Sequence, residues 1–274
     1  MKLTLGISPC PNDTFIFDAL LNGKIHTGSL EFELHLADVQ TLNEWALEGR
    51  LDLTKISYGV WPLLQRSHRL LQSGGAMGYG VGPLLISRVP VSADAAAMQA
   101  LVNQSSIVLP GRHTTAHFLF TNAFPEAKNK TFRPFHEIET AVVNGFFDMG
   151  VIIHENRFTY QQKGLHLVAD LGTLWEQRTG LPIPLGGIAA HRRIPEAVVA
   201  EVDRLIAASV SHAWKHYPQL PPFVTEHAQE MSEDVMRQHI QLYVNAFTEN
   251  MGSQGNHAIE KMLRLFESMA ANPQ

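Results

Sequence analysis

Short apolar runs alternate with helical patterns through roughly the first 190 residues. Lys2 to Ser8 and Glu31 to Leu36 are predicted strands, and the second of them alternates apolar with polar residues. Between them a helix is predicted from about Thr14 to Asn22, ended by Gly23, and Asp38 is the predicted N-cap of the next helix. Strands that alternate with helices are typical of βαβ units. We therefore expect an α/β fold with a largely parallel sheet.

Two glycine-marked apolar segments lie about one hundred residues apart. In the first, Gly74 to Ser87, five glycines precede an apolar run, and the second is Pro182 to His191. Between them the pattern predicts strands at Ser106 to Leu109 and Asp148 to Ile153, with a helix from His136 to Asn144. This arrangement indicates a chain that crosses into a second lobe and later returns.

The chain after the second crossing has a helical pattern. Pro195 to His216 carries an apolar stripe suited to a core-facing helix, and a further helix is predicted to begin at Ser232. We therefore expect a larger discontinuous α/β lobe of residues 1–86 plus 192–274, and a smaller inserted α/β lobe of residues 87–191. A cleft between two such lobes is a common place for a ligand.

Composition narrows the class of protein. The chain has 274 residues, of which 45% are hydrophobic and 17% charged, as expected for a globular protein with a sizeable core. A formal net charge of −5 argues against a nucleic-acid partner. Cys10 is the single cysteine, and the sequence contains neither the apolar run of a signal peptide nor one long enough to span a membrane. These features predict a cytoplasmic protein.

Four polar segments follow predicted strands, and in α/β sheets ligands bind at the carboxyl ends of strands. The first is Ser8 to Phe15, in which Asn12, Asp13 or Thr14 is expected to cap a helix whose free N–H groups suit an anion. A rigid helix start without a ligand is an equal alternative. Cys10 has no base next to it in the sequence, and we expect an unreactive thiol.

The second and third segments also suit an anion. Lys55 and Ser57 end an apolar strand and could hold a carboxylate, or Ser57 could simply cap a helix. Pro110 to His117 has a glycine turn and hydroxyl residues that open a helix, which makes an anion cradle without the Gly-Lys-Ser/Thr of a P-loop. His113 and His117 lie one helical turn apart, but no third ligand has convincing spacing, so we predict no metal site.

The fourth segment, Asp148 to Tyr160, offers a candidate general base. A buried strand is predicted to place His154 at its carboxyl end, beside Glu155 and Arg157. Imidazole titrates near neutral pH and is the usual base in such positions. The alternative is that one of 14 histidines falls at a strand end by chance.

Taken together, these segments resemble the 1,4-dihydroxy-6-naphthoate synthases of the futalosine route to menaquinone. The most specific strings are Ser8 to Phe17, Thr54 to Tyr58, Pro110 to Ala116 and Ile152 to Glu155. Further matches, which extend the resemblance over nearly the whole chain, are Arg157 to Tyr160, Arg178 to Pro182 and Tyr243 to Phe247. The resemblance implies a two-lobed fold like the type II periplasmic binding proteins, with a central cleft. One departure is Asn156, where the family is expected to carry a small residue.

The resemblance also implies a reaction. A lyase of this family converts cyclic dehypoxanthinyl futalosine to 1,4-dihydroxy-6-naphthoate and dihydroxyacetone, with no metal or organic cofactor. By that resemblance His154 is the proton acceptor for a small aromatic carboxylate substrate. The implied substrate-binding residues are Lys55, Ile56, Ser57, Thr115 and Ala116.

Two other functions remain open at this point. A chorismate dehydratase of the same pathway shares the fold, although the string Ser8 to Phe15 argues against it. A non-catalytic small-anion binding protein is the second alternative. The absence of an export signal and a base in the cleft argue against that one.

Overall fold

A computed structural model describes residues 1–92, 94–154, 156–228 and 232–271. Within these ranges the chain forms two β-sheets surrounded by helices. The strands are β1 (Lys2–Ile7), β2 (Glu31–Leu36), β3 (Leu53–Ser57), β4 (His68–Leu70), β5 (Ala76–Gly78), β6 (Leu84–Ser87), β7 (Ile107–Leu109), β8 (Lys130–Phe132), β9 (Met149–Ile152), β10 (His166–Asp170) and β11 (Ile183–His191). The helices are α1 (Pro11–Leu21), α2 (Val39–Leu47), α3 (Trp61–Leu64), α4 (Ala95–Gln104), α5 (Thr115–Ala123), α6 (Phe135–Val143), α7 (Asn156–Thr159), α8 (Leu171–Thr179), α9 (Glu196–His216), α10 (Pro222–His227), α11 (Glu233–Tyr243), α12 (Ala246–Glu249) and α13 (Gly252–Ala271).

Both sheets mix parallel and antiparallel pairs, so the prediction of a largely parallel sheet was wrong. The first sheet has the order β2-β1-β3-β11-β4, with β5 also paired to β11, and the second has the order β10-β6-β9-β7-β8. β1 runs parallel to β2 and β3, and β7 runs parallel to β8 and β9. The strands that cross between the sheets cause the mixture, because β6 and β11 run antiparallel to every strand they pair with.

Sheet membership changes twice along the chain, which agrees with two crossings. β5 pairs in the first sheet and β6 in the second, and β11 returns to the first. Residues 183–191, which fall within the predicted inserted segment, therefore hydrogen-bond in the sheet of the larger lobe. We propose that the lobe boundaries lie just before β6 and just before β11. The predicted boundaries were between residues 86 and 87 and between residues 191 and 192.

The first sheet is covered by α1 and α9, which pack against each other. Phe15 and Phe17 of α1 are fully buried there. On α9, Val202, Ile206 and Val210 are buried, as the predicted apolar stripe requires. Burial of each such side chain contributes about 1.5–3 kcal/mol, so this helix pair forms a large part of the core that supports the sheet.

Helix starts explain how polar residues reach the edge of the first sheet. Asp38 caps α2 as predicted, accepting hydrogen bonds from the N–H groups of Gln40 and Thr41. The first helix, however, begins at Pro11 and not at about Thr14, because proline is favoured at the first helical position. Asp13 consequently lies inside the first turn and is not the N-cap.

Among the described helices, none is both long and apolar enough to cross a membrane.

Candidate functional site

The carboxyl ends of parallel strands from both sheets meet at one cavity, which we call the main cavity. Ser8 follows β1, Ser57 ends β3, His154 lies two residues after β9, and α5 starts beyond β7 at Thr115. Gly186, in the crossing strand β11, forms part of the wall. About 660 Å³ of empty space lies here, part of it open to solvent, which suits a small organic ligand.

The structure brings most of the predicted site residues together. His154, Lys55, Ser57, Thr115 and Ala116 all line the main cavity. Successive side chains of a strand point to opposite faces, so Lys55 and Ser57 face the cavity from β3 and the residue between them faces away. That residue, Ile56, is fully buried in the hydrophobic core. Any contact it makes with a ligand is through its backbone.

Lys55 is paired with a carboxylate of the protein itself. Its Nζ donates to Oδ1 of Asp13 at 2.7 Å, and both side chains are buried. The other oxygen of Asp13 accepts hydrogen bonds from Oγ of Ser8 at 2.7 Å and from its N–H at 3.2 Å. The charge of Lys55 is therefore already balanced, and a ligand carboxylate at this cavity depends on other donors.

Ser57 is one such donor. Asn43 fixes it, because Oδ1 of Asn43 accepts from the Ser57 N–H at 2.8 Å and Nδ2 of Asn43 donates to Ser57 Oγ at 3.1 Å. The same Nδ2 also donates to the backbone oxygen of His113 at 3.2 Å. Ser57 Oγ thus accepts from Asn43 and donates to none of the described residues, which leaves its O–H for a ligand.

The start of α5 supplies further donors. Thr114 is its N-cap and accepts from the N–H of His117 at 3.2 Å. The hydroxyl of Thr115 donates to the Leu185 oxygen at 2.6 Å and accepts from the Gly59 N–H at 3.0 Å, so it joins three segments of the chain. The N–H groups of the first helical turn have no partner within the helix and carry its positive dipole end, which favours an anion.

Glycine is required at position 59 because the turn after β3 lies against the backbone at the start of α5. A Cβ there would lie 2.6 Å from the backbone oxygen of Thr114 and 2.9 Å from the N atom of Thr115, closer than any real side chain allows. The turn after β3 and the start of α5 therefore pack backbone against backbone. This packing places the hydroxyl of Ser57 and the amides of α5 on one cavity.

His154 has an unusual backbone conformation. Its φ of 56° is left-handed, and it is the only non-glycine residue with a positive φ in the described parts of the chain. Nδ1 of its ring lies 3.8 Å from Sγ of Cys10, and its ring centroid is 5.1 Å from that of Phe135 in an edge-to-face arrangement. Glu155, predicted beside it, lies outside the described residues. Such strained residues cluster at functional sites.

A second cavity adjoins the main cavity. Ser8, Val39 and His154 line both, and the second is completed by residues that include Cys10 and Phe135. His154 is therefore accessible from two sides. A ligand in the main cavity that passes His154 would enter the second cavity.

Other predicted residues lie elsewhere. Arg157 donates to the backbone oxygen of Gly82 at 2.8 Å and forms an ion pair with Asp170 at 3.6 Å. It therefore joins α7 to the segment before β6 and to the end of β10. His113 and His117 line a separate surface groove. Within the part of the chain that the structure describes, no three His, Cys, Asp or Glu side chains are grouped to hold a metal ion. The predicted absence of a metal stays a prediction.

Sequence reasoning missed His239, which lines the main cavity from α11. Nε2 of His239 lies 3.0 Å from Oδ1 of Asn12, and the side chain is fully buried. Burial holds its pKa well below the ordinary value, and the electrostatic effects of the nearby His154 and Lys55 lower that pKa further. The sequence marks it only by its place directly before the apolar Ile240, in the helix predicted to begin at Ser232.

Comparison with known proteins gives one family match. The model of a protein family described as menaquinone biosynthesis matches residues 3–268. A protein of Thermus thermophilus named 1,4-dihydroxy-6-naphthoate synthase is 43% identical over 263 residues, which cover 95% of this chain and 92% of that protein. A Streptomyces coelicolor protein of the same name is 42% identical over 266 residues, covering 95% and 91% of the two chains.

Solved structures match the fold over nearly the full length. A protein from Archaeoglobus fulgidus, 29% identical, superposes with a TM-score of 0.91 and covers 99% of this chain and 98% of its own. The alkanesulfonate-binding protein SsuA of Xanthomonas axonopodis, bound to MOPS, has a TM-score of 0.73 at 13% identity, covering 100% and 94%. At that identity the likeness shows the fold alone. The predicted fold like that of periplasmic binding proteins is confirmed.

Proposed function

The chain belongs to the menaquinone biosynthesis family, and we propose that it is a carbon–carbon lyase that converts cyclic dehypoxanthinyl futalosine to 1,4-dihydroxy-6-naphthoate and dihydroxyacetone. One observation carries the proposal. A single cavity holds His154, a strained histidine at a strand end, together with uncommitted donors for a carboxylate at Ser57 and the start of α5. We place the reaction in the cytoplasm as part of the same proposal.

The carboxylate of the substrate is held by the hydroxyl of Ser57 and the N–H groups of Thr115 and Ala116. Hydrogen bonds to an ionised acceptor are about twice as strong as neutral ones, and the dipole of α5 adds to them. Lys55 supports this site indirectly. Its ion pair with Asp13 holds the end of β3 against α1.

His154 accepts the proton that starts the cleavage. In the scheme we favour, the proton leaves a substrate hydroxyl, whose oxygen becomes a carbonyl as the adjacent carbon–carbon bond breaks. The electron pair of that bond passes to the ring system, which becomes aromatic as the naphthoate forms, and the proton returns to the products from the imidazolium. A positioned base of this kind contributes about 10²–10⁴-fold to the rate. The scheme uses no metal or organic cofactor.

The two cavities suggest how the substrate lies across His154. The aromatic carboxylate occupies the main cavity, where its anchors are, and the three-carbon unit extends past His154 toward the second cavity. The bond to be broken then lies beside the base. This placement is supported by the position of His154 in the walls of both cavities.

Incubation of the purified protein with cyclic dehypoxanthinyl futalosine tests the proposal. We expect stoichiometric 1,4-dihydroxy-6-naphthoate and dihydroxyacetone, detected by chromatography and mass spectrometry. A parallel incubation with chorismate should give no loss of water. Dehydration of chorismate, or binding of the cyclic compound without turnover, would contradict the proposed reaction and favour the dehydratase or the binding protein respectively.

A further inference from the structure

His239 contributes a buried imidazole to the main cavity, beside the proposed base. It lies on α11, which packs against α1, and its side chain is fully buried. Its ring is nearly parallel to that of His154, with 6.2 Å between centroids, and its other neighbour is the ring of Tyr243 at 4.6 Å. None of the steps proposed above uses it.

The hydrogen bonds around Asn12 determine which nitrogen of His239 carries the proton. Nδ2 of Asn12 donates to Oδ1 of Asp13 at 2.9 Å, so the side-chain oxygen of Asn12 is the atom that faces His239. An oxygen accepts, and Nε2 of His239 must therefore donate to it. Burial keeps the pKa of His239 far below neutrality, so the ring is uncharged and Nδ1 bears a lone pair.

This lone pair has no partner among the described residues. Nearly all buried polar atoms in proteins are hydrogen-bonded, and an unpaired one costs about 1–3 kcal/mol. The opposite nitrogen of the same ring is held in place through Asn12, Asp13 and Lys55. The ring is thus oriented by a chain of polar contacts, yet its second nitrogen is buried without a partner among the described residues.

We propose that Nδ1 of His239 accepts a hydrogen bond from a hydroxyl of the bound substrate, which makes His239 a substrate-orienting residue. The inference rests on the proposed function and adds a second point of recognition to it. The lone pair accepts from the O–H of a hydroxyl and repels a carboxylate, whereas the N–H groups at the start of α5 favour a carboxylate. The two ends of the cavity therefore fix which way round the substrate binds.

A matched pair of substitutions separates the two nitrogens. In His239→Gln the amide reaches the position of Nε2, so the bond to Asn12 is kept and the acceptor is lost. In His239→Asn the amide occupies the position of Nδ1, so an acceptor is kept and the bond to Asn12 is lost. Substrate affinity is measured by calorimetry with each change made in a His154→Asn background, and kcat and KM are measured with His154 intact.

We expect His239→Gln to weaken substrate binding and to lower kcat/KM by roughly 10-fold, the effect of one hydrogen bond, while its melting temperature stays near that of the parent. His239→Asn should bind substrate more tightly than His239→Gln and melt at a lower temperature. A purely structural histidine predicts the reverse order, with His239→Gln close to the parent in both affinity and kcat/KM. That result would overturn the inference.

Nitrogen NMR on protein that retains His239 decides the question if the variants do not fold. With ¹⁵N-labelled histidine in the His154→Asn protein, the unprotonated Nδ1 of His239 should shift upfield when the cyclic substrate is added, as it accepts a hydrogen bond. An unchanged signal at saturating substrate would refute the inference. A parent protein that makes no naphthoate would instead refute the proposed function.

Discussion

At the scale of single residues, the backbone at His154 is the feature on which the proposed chemistry depends most. A left-handed φ costs a non-glycine residue about 1–3 kcal/mol, so neighbouring contacts must hold it. Asn156 provides one, because its Nδ2 donates to Oε2 of the buried Glu139 at 2.5 Å. Lys163 pairs with the same oxygen. The residue that departs from the expected small side chain thus ties the loop after β9 to α6.

Thr115 gives a prediction at this scale. Thr115→Val removes a hydroxyl that joins Gly59 to Leu185, leaving the Gly59 N–H unpaired and the first turn of α5 poorly placed, although the Leu185 oxygen still accepts from the Tyr58 N–H. We expect substrate binding to weaken by about 1–3 kcal/mol, measured by calorimetry. Thr115→Ser keeps the hydroxyl and serves as the control. Equal affinity in the valine and serine variants would show that the hydroxyl does not position the anion site.

At the scale of secondary-structure elements, the pair Asp13–Lys55 joins α1 to β3 below the main cavity. Asp13→Asn leaves the ammonium of Lys55 buried without a counter-charge, and breaking such a pair typically costs about 3–5 kcal/mol. We expect a loss of that size in the free energy of unfolding from urea titration. Glu33→Gln, which breaks the exposed pair with Lys2, should change little. Similar small losses in both variants would contradict this role for the buried pair.

Local patterns predicted most elements but not their long-range pairing. The alternation in Glu31–Leu36 gave β2 with its correct bounds, and Asp38 was recognised as a cap, because both depend on near neighbours in the chain. The antiparallel position of β11 between β3 and β4 has no local signal, since it depends on how the chain returns from the second sheet.

The same distinction applies to the site. Ser57, Thr115 and His154 lie at or just beyond strand or helix ends, and Lys55 lies two residues before the end of β3, so position along the chain marks them as candidates. His239 lies within a helix and reaches the cavity only because α11 packs against α1. Sequence could not predict that contact across more than 200 residues.

At the scale of the whole molecule, buried histidines make stability depend on pH. His68 is buried at the edge of the first sheet, and burial, aided by the nearby charges of His191, Arg193 and Arg192, lowers its pKa to about 4. The unfolded chain binds this proton from about pH 6.5 downward, whereas the folded chain does not until about pH 4. The stabilisation is therefore complete above pH 6.5 and is lost as the pH falls from 6.5 to about 4.

We expect the free energy of unfolding to fall by roughly 3 kcal/mol across that window from this residue alone. In His68→Gln the pH dependence measured by urea titration should be shallower by about that amount. His26→Gln, at an exposed position, is the matched control. Parallel curves for the parent and His68→Gln between pH 6.5 and 4 would contradict the assignment.

The central claim is that His154 accepts the proton in a carbon–carbon cleavage, and one paired measurement on His154→Asn tests it most directly. Asparagine keeps a polar group of similar reach but cannot take up the proton. We expect turnover of cyclic dehypoxanthinyl futalosine at saturating substrate to fall by roughly 10²–10⁴-fold. Substrate affinity and melting temperature should change little, because the carboxylate anchors lie at Ser57 and the start of α5. A folded variant that forms naphthoate at close to the parent rate would contradict the account.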